Sequence, residues 1–471
     1  MLFRQLFDPH LAQYAYLIGC QKTKEALLID PERDIDRYVE AAAAENLKIV
    51  AVAETHIHAD FLSGVREFAA QHGVKAYLSD EGDADWKYGW ADDEGLDVQL
   101  VKDGDTFNVG NIKVEVIHTP GHTPEHICFL ITDEGGGASE PMGLVSGDFV
   151  FVGDLGRPDL LESAAGVVGA REPSAQALFE SVQKLKTMPE YLQVWPGHGA
   201  GSACGKALGS VPQTTLGYEL RHNASILSAR EGESTFIDFI LDGQPEPPLY
   251  FARMKRENRE GPALLGALPK PRRVSVSGIE DEAVVIDTRT KAEFYEGHLV
   301  GSLLATFDKS FPTVAGSYVM PGKAMYLVID EENVGAAVRD LIRIGLDDVR
   351  GFITPEDLGS AELTKIEVIR FDDLAARIAD PSVCVVDVRR QDEVDLGFVA
   401  GSIHIPHLRL LSRLDELPTD KTLLVHCQSG IRSAVAAALL NASGFNTVFV
   451  DDHFRNWKTP VKGEVQMTIE A

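Results

Sequence analysis

Short apolar runs, each stopped by a turn or a polar cluster, punctuate the first half of this chain. Residues 14–18, 26–30 and 49–53 read as strands, and the last, Ile49-Val50-Ala51-Val52-Ala53, is continuously apolar and therefore buried. Ile112-Lys113-Val114-Glu115-Val116 alternates with period two, as a half-buried strand does. Residues 127–131 and 143–145 pair across Asp133-Glu134-Gly135-Gly136-Gly137-Ala138-Ser139-Glu140, a flexible hairpin loop. Helical patterns fall at 35–46, from Phe61 to about residue 71, and at about 214–229. Gln244-Pro245-Glu246-Pro247-Pro248 interrupts regular structure, and the Pro- and Gly-rich stretch 261–271 reads as a linker.

Beyond the linker the pattern repeats. Val284-Val285-Ile286-Asp287-Thr288-Arg289 is followed by Glu293 and then Gly297-His298-Leu299-Val300-Gly301-Ser302. Val385-Val386-Asp387-Val388-Arg389 is followed by Glu393 and then Gly397-Phe398-Val399-Ala400-Gly401-Ser402. Each copy of about 100 residues alternates strand and helix, and the boundary between them lies near 354–364. The chain has 471 residues, a length prior of about three domains.

Composition narrows the partners. A net charge of −28 repels nucleic acid and anionic membrane surfaces, so neither is expected as a partner. The five cysteines (Cys20, Cys128, Cys204, Cys384 and Cys427) are scattered and form no C-x-x-C pair, which points to reduced thiols rather than a disulfide framework. No apolar run approaches the roughly 18 residues of a membrane span, and the first residues show no signal-peptide pattern. A cytoplasmic location is the expectation.

Candidate chemistry gathers where strands stop. Glu54-Thr55-His56-Ile57-His58-Ala59-Asp60-Phe61 follows the buried run 49–53, and two histidines one residue apart point the same way on extended backbone. A polar strand-to-helix turn with Asp60 as helix cap is the plainer reading of that stretch alone. His118-Thr119-Pro120-Gly121-His122-Thr123-Pro124-Glu125-His126, Ser146-Gly147-Asp148 and Pro196-Gly197-His198-Gly199 then follow other strands. His56, His58, Asp60, His122, His126, Asp148 and His198 are thus the candidate metal ligands.

H-x-H-x-D, P-G-H, G-D and P-G-H-G in this order resemble the metallo-β-lactamase fold, over roughly residues 1–265. Dinuclear hydrolases of that fold carry H-x-H-x-D-H, and here the last position is Phe61, whose ring cannot ligate. What remains resembles the persulfide dioxygenase branch. The resemblance implies one Fe(2+) per chain, held by His56, His122 and Asp148. Two imidazoles and one carboxylate leave coordination positions open, as in non-haem Fe(II) oxygenases. His58 and Asp60 are then read as orienting neighbours, His198 as a group facing substrate at the mouth or a further ligand, Cys204 as a buried inert thiol or a substrate-facing one, and His118 and His126 as polar neighbours. Arg157 and Asp159 are expected to form a structural ion pair.

The second centre is the run Leu423-Leu424-Val425-His426, a buried strand, into Cys427-Gln428-Ser429-Gly430-Ile431-Arg432-Ser433 and a helix. A cysteine at a helix N-terminus, with Arg432 nearby, favours the thiolate. Tyrosine phosphatases use a similar loop with one more residue. With Asp387-Val388-Arg389 upstream, residues 362–471 resemble an active rhodanese domain. That implies Cys427 and Arg432 as catalytic groups and Gln428, Ser429, Gly430, Ile431 and Ser433 as substrate-binding ones. In the first copy, residues 266–357, Asp330 is read at the nucleophile's position, so that copy resembles an inactive rhodanese.

The predicted architecture is α/β: a metallo-β-lactamase αββα sandwich (1–265), then an inactive and an active rhodanese-like domain. The whole resembles the persulfide dioxygenase–rhodanese fusions of sulfide detoxification. The implied substrates are a low-molecular-weight thiol persulfide, of glutathione or coenzyme A type, with dioxygen and sulfite; a homo-oligomer is compatible with this. The alternatives are a zinc-dependent thioester hydrolase of the glyoxalase II kind fused to a sulfurtransferase, and a non-catalytic sulfur sensor.

Overall fold

The computed structural model describes residues 1–164 and 166–458. Residues 459–471, the end of the stretch read as the second rhodanese copy, lie outside the described residues. The chain divides into two compact units. One is Met1–Leu268 with the short segment Ile342–Gly345, and the other is Pro269–Leu341 with the chain from Leu346 onward. Among the described residues, no helix is long and apolar enough to cross a membrane.

The first unit holds two six-stranded sheets. β1 (Leu2–Asp8), β2 (Gln13–Cys20), β3 (Glu25–Ile29), β4 (Lys48–Ala53), β5 (Lys75–Ser79) and β6 (Val98–Val101) lie in that spatial order. β7 (Thr106–Val109), β8 (Ile112–His118), β9 (Ile127–Asp133), β10 (Gly143–Gly147), β11 (Gln193–Pro196) and β12 (Thr214–Thr215) form the second, again in sequence order.

Period-two patterning explains the layers. On β2, Tyr14, Tyr16, Ile18 and Cys20 face the inter-sheet core, where they join Val114, Val116, Phe129, Ile131, Val145 and Trp195. The intervening Ala15 and Leu17 face the opposite side and pack with Tyr38, Ala42 and Phe68 of the helices Asp36–Ala44 and Val65–His72. β9 divides likewise: Cys128 and Leu130 turn outward to Leu178, Val182 and Leu185 of the helix Arg171–Leu185. Both sheets are thus apolar on both faces, giving the αββα order of layers.

The helix predicted from Phe61 begins instead at Val65. Asn258, nearly 200 residues later in the chain, intercepts the backbone before it. Its Nδ2 donates to the carbonyls of His58 (2.9 Å) and Phe61 (2.7 Å), and its Oδ1 accepts from Ser63 N (2.9 Å). Those groups are therefore tied to a side chain rather than to a helical ladder, and residues 54–64 stay irregular.

The second unit contains two five-stranded sheets whose strand orders match copy for copy. In the first, Val284–Asp287 lies between Met325–Val328 and Leu303–Leu304; in the second, Val383–Asp387 lies between Thr422–His426 and Ile403–His404, all parallel. The repeat read in sequence reappears as one hydrogen-bond staple made twice. Arg289 Nη2 bonds Asp287 (2.6 Å) and the Gly297 carbonyl (2.9 Å), and Arg389 Nη2 bonds Asp387 (2.6 Å) and the Gly397 carbonyl (2.7 Å).

The strand register corrects one alignment. Asp287 pairs with Val328, and Asp387 pairs with His426. Ile329, not Asp330, therefore occupies the place of Cys427, because an apolar run fixes a strand's existence but leaves its register open by a residue. A buried aliphatic side chain carries no sulfur either.

The second staple is buried: Asp387 is 0% and Arg389 1% exposed. Removing the cation leaves a buried carboxylate without its partner, a cost of about 3–5 kcal/mol. Arg389→Ala should therefore lower the urea midpoint of the transition that reports on the Phe371–Trp457 region.

Candidate functional site

His56, His58 and Asp60 follow β4, His122 lies between β8 and β9, Asp148 follows β10 and His198 follows β11. Strand ends of both sheets thus deliver these side chains to one buried place. His56 Nε2 lies 4.0 Å and His122 Nε2 3.5 Å from Asp148 Oδ2. The three donor atoms all fall within 4.8 Å of one another.

Neighbouring groups fix the tautomers. Thr55 Oγ1 donates its one proton to Asp30 Oδ2 (2.9 Å), so it accepts from His56 Nδ1 (2.9 Å), and His56 Nε2 keeps a lone pair. His122 Nδ1 donates to the Arg157 carbonyl at 3.0 Å, a group that only accepts, so His122 Nε2 is likewise a free acceptor. Burial holds both imidazoles well below their ordinary pKa, with the neighbouring histidines pushing the same way. Asp148 is 1% exposed, neither of its oxygens accepts a well-formed hydrogen bond, and burial pushes its carboxyl up to about 6. Two neutral imidazole lone pairs facing an uncompensated carboxylate fit a divalent cation.

The remaining residues divide by what they touch. His126 Nδ1 meets Thr119 Oγ1 (2.8 Å) and its Nε2 accepts from Asp148 N (3.0 Å), so no lone pair is left for a metal. His118, partly exposed, bonds the Pro124 carbonyl at 2.8 Å. His58 Nε2 lies 3.2 Å from Asp30 Oδ1. Burial alone would lower His58, but Asp30, supported by Asp60 and Glu54, raises it to about 9. Phe61 is fully buried, with its ring 4.3 Å from that of His58. Arg157 and Asp159 form the ion pair read from the sequence, at 2.6 Å, and Arg157 also bonds the Ala203 and Pro245 carbonyls.

His198 and Cys204, read from the sequence as facing substrate, are each 1% exposed. His198 Nε2 lies 3.3 Å from Asp60 Oδ2 and 3.4 Å from Asp148 Oδ1. Asp60, His198 and Cys204 form a second set of donor atoms within 4.8 Å of one another. Burial, with the Asp148 and Asp60 carboxylates, holds the Cys204 thiol well above its ordinary pKa and so protonated.

Sequence reasoning passed over Asp30, Thr55, Asn258 and Lys255. Lys255, on the helix Phe251–Glu260, is 9% exposed with its ammonium 4.1 Å over the Trp86 ring. Burial draws it down to about 8 against the pull of Glu125 and Cys204. Asp30 ends a strand as Asp148 does, which is a usable signal; Asn258 and Lys255 sit in a helix with no motif around them.

In the second unit, Cys427 ends the strand Thr422–His426 and is 1% exposed. Gly430, at φ 79°, turns the loop into the helix Ile431–Ala442. Ser433 Oγ lies 3.3 Å from Cys427 Sγ, while Gln428, Ser429 and Ile431 form the more open side of the loop. Arg432, expected to add positive potential at the sulfur, is gripped by both oxygens of Glu393 at 2.5 and 2.7 Å, so its charge is compensated locally.

An αββα sandwich that collects imidazoles and a carboxylate at its strand ends is the architecture of metallohydrolase-type enzymes. The family model of the metallo-beta-lactamase superfamily matches residues 9–198, and that of the rhodanese-like domain matches 371–460. A metallo-beta-lactamase crystal structure from Staphylococcus aureus is 42% identical, with a TM-score of 0.68, covering 75% of this chain and 99% of that one. The chain belongs to the metallo-β-lactamase superfamily, with a rhodanese-like domain following its N-terminal domain. It is also similar to the mitochondrial persulfide dioxygenase ETHE1 of Bos taurus, 27% identical over 205 residues, 42% of this chain and 68% of that protein. A probable polyketide biosynthesis zinc-dependent hydrolase, BaeB of Bacillus velezensis, is 25% identical over 220 residues, 46% of this chain and 87% of its own.

Gly147 gives a direct test of the geometry. Its φ of 48° is left-handed, and a Cβ there would meet Thr55 Oγ1 at 2.6 Å and His126 Nε2 at 2.7 Å. Gly147→Ala should cost about 1–3 kcal/mol and displace Asp148, read as a lower melting temperature together with reduced metal content.

Proposed function

We propose that the N-terminal domain is a non-haem iron persulfide dioxygenase and that Cys427 of the rhodanese-like domain carries sulfane sulfur onward. The observation that carries the reading is the three-donor set His56, His122 and Asp148 together with Phe61, buried against the His58 ring, at the position where dinuclear hydrolases of this fold place a further histidine. The similarity to a persulfide dioxygenase and the rhodanese-like domain on the same chain support it.

The net reaction balances as RSSH + O2 + H2O → RSH + SO3²⁻ + 2 H⁺. A bound Fe(II) would supply open coordination positions for dioxygen and for the terminal sulfur of the persulfide. Thr55 and the Arg157 carbonyl keep the two imidazoles turned toward Asp148. At the second centre, Cys427 thiolate attacks the outer sulfur of a second persulfide, giving Cys427–S–S⁻ and RSH. Sulfite then takes that sulfur, giving thiosulfate and regenerating the thiolate. Holding both activities on one chain keeps sulfite near its sulfur donor. On this reading the chain serves sulfide detoxification.

One observation favours a second reading. Asp60, His198 and Cys204 offer donors to another ion, and one relative is named a zinc-dependent hydrolase. A zinc thioester hydrolase would cleave glutathione thioesters through metal-activated water without consuming oxygen. Oxygen uptake on adding glutathione persulfide decides between them. The wild-type protein should consume oxygen, and His56→Ala and Asp148→Ala should abolish uptake; full uptake by either variant would refute the assignment. Cys427→Ser should accumulate sulfite without thiosulfate, measured by ion chromatography, and unchanged thiosulfate would remove the relay.

A further inference from the structure

The first repeat keeps the fold of its twin but has Ile329 where the nucleophile stands, so its retention calls for another role. Its helix Lys291–Glu296 reaches the loop and helix that hold Cys427. Tyr295 is buried, and its hydroxyl donates to the Ala434 carbonyl at 2.7 Å, in the first turn of the helix Ile431–Ala442. Ala434 adjoins Ser433, whose hydroxyl lies 3.3 Å from Cys427 Sγ. The Tyr295 ring packs on Phe449, at 4.5 Å between centroids, in the strand Thr447–Val450.

A second contact lies on the other side of the loop. Lys291 Nζ donates to Asp451 Oδ1 at 2.6 Å. That carboxylate fills the space a Cβ on Gly430 would need, and Lys291 Nζ stands 3.3 Å from the same point. The Asp451 side chain thus backs the left-handed turn by which the Cys427 loop enters the helix Ile431–Ala442, and Lys291 fixes where Asp451 sits. Arg432 does not compete for this role, since both oxygens of Glu393 hold it.

We propose that Lys291 and Tyr295 of the first repeat are positioning residues for the Cys427 loop, so that the repeat without a nucleophile sets the geometry of the one that has it. This deepens the reading of Cys427 as a sulfur carrier and rests on it. Neither residue touches the sulfur; each acts through a backbone or carboxylate group of the second repeat. A catalytic group displaced by a fraction of an ångström loses rate while its substrate still binds.

The test uses the full-length protein, with thiosulfate as sulfane donor, cyanide as acceptor and thiocyanate as readout. Tyr295→Phe and Lys291→Met should each lower kcat about tenfold, within the roughly 100-fold that such misplacement can cost, with KM for thiosulfate changed less than about twofold. Lys291→Arg, which keeps a donor to Asp451, should restore most of the loss. Oxygen uptake with glutathione persulfide should stay at the wild-type rate in all three. Wild-type kcat in both loss variants would overturn the proposal. A loss at Lys291→Met that Lys291→Arg fails to restore would also overturn it, because it would mark a packing defect rather than a held carboxylate. Cys427→Ser separates the two layers: transfer surviving in that variant sinks the sulfur-carrier reading itself, whereas its loss beside unaffected Lys291 and Tyr295 variants sinks only the positioning role.

Discussion

A carboxylate taken out of water without a hydrogen-bond donor is among the costliest things a folded chain can hold. Asp148 comes close to that condition: it is buried, neither oxygen accepts a well-formed hydrogen bond, and it faces the Nε2 atoms of His56, His122 and His198. The arrangement makes physical sense around a cation. Much of the surrounding structure serves it. β4, β8, β10 and β11 end where the donors are needed, Gly147 supplies a turn that a side chain would block, and His126 accepts a hydrogen bond from the Asp148 amide and so fixes the start of that turn.

The parts of the site that follow from local chemistry were legible in the sequence. Apolar runs stopping at H-x-H-x-D, P-G-H and G-D showed that strand ends carry the donors, and period-two alternation foreshadowed the strand 112–116 in the sheet. The duplicated Asp-x-Arg signalled the repeat, and its staple is built alike in both copies. What escaped is held by contacts distant in sequence. Asn258 braces the His58–Ser63 backbone from nearly 200 residues away, and no periodicity announces such a partner. The tautomer logic of Thr55 and Asp30 was hidden because it depends on which single proton a hydroxyl gives away. The slip from Ile329 to Asp330 arose because an apolar run fixes a strand's existence more firmly than its register.

The two chemical centres use one economy in different settings. Each places its reactive group just past the end of a strand, buried and held by the sheet behind it. They differ in how charge is handled. Near Asp148 the chain leaves charge uncompensated for an ion to meet, whereas around Cys427 the cations Arg432 and Arg389 are paired with Glu393 and Asp387. The contact made to the sulfur is therefore the Ser433 hydroxyl rather than a free guanidinium.

Metal analysis of freshly purified, unreconstituted protein tests the central claim most directly, because the proposed reading takes Phe61, in place of a donor, to separate one redox-active ion from a hydrolytic pair. The account predicts one iron per chain, lost together from His122→Ala and Asp148→Ala proteins that still melt cooperatively. Two zinc ions per chain, with Asp60, His198 and Cys204 needed for the second, would contradict it.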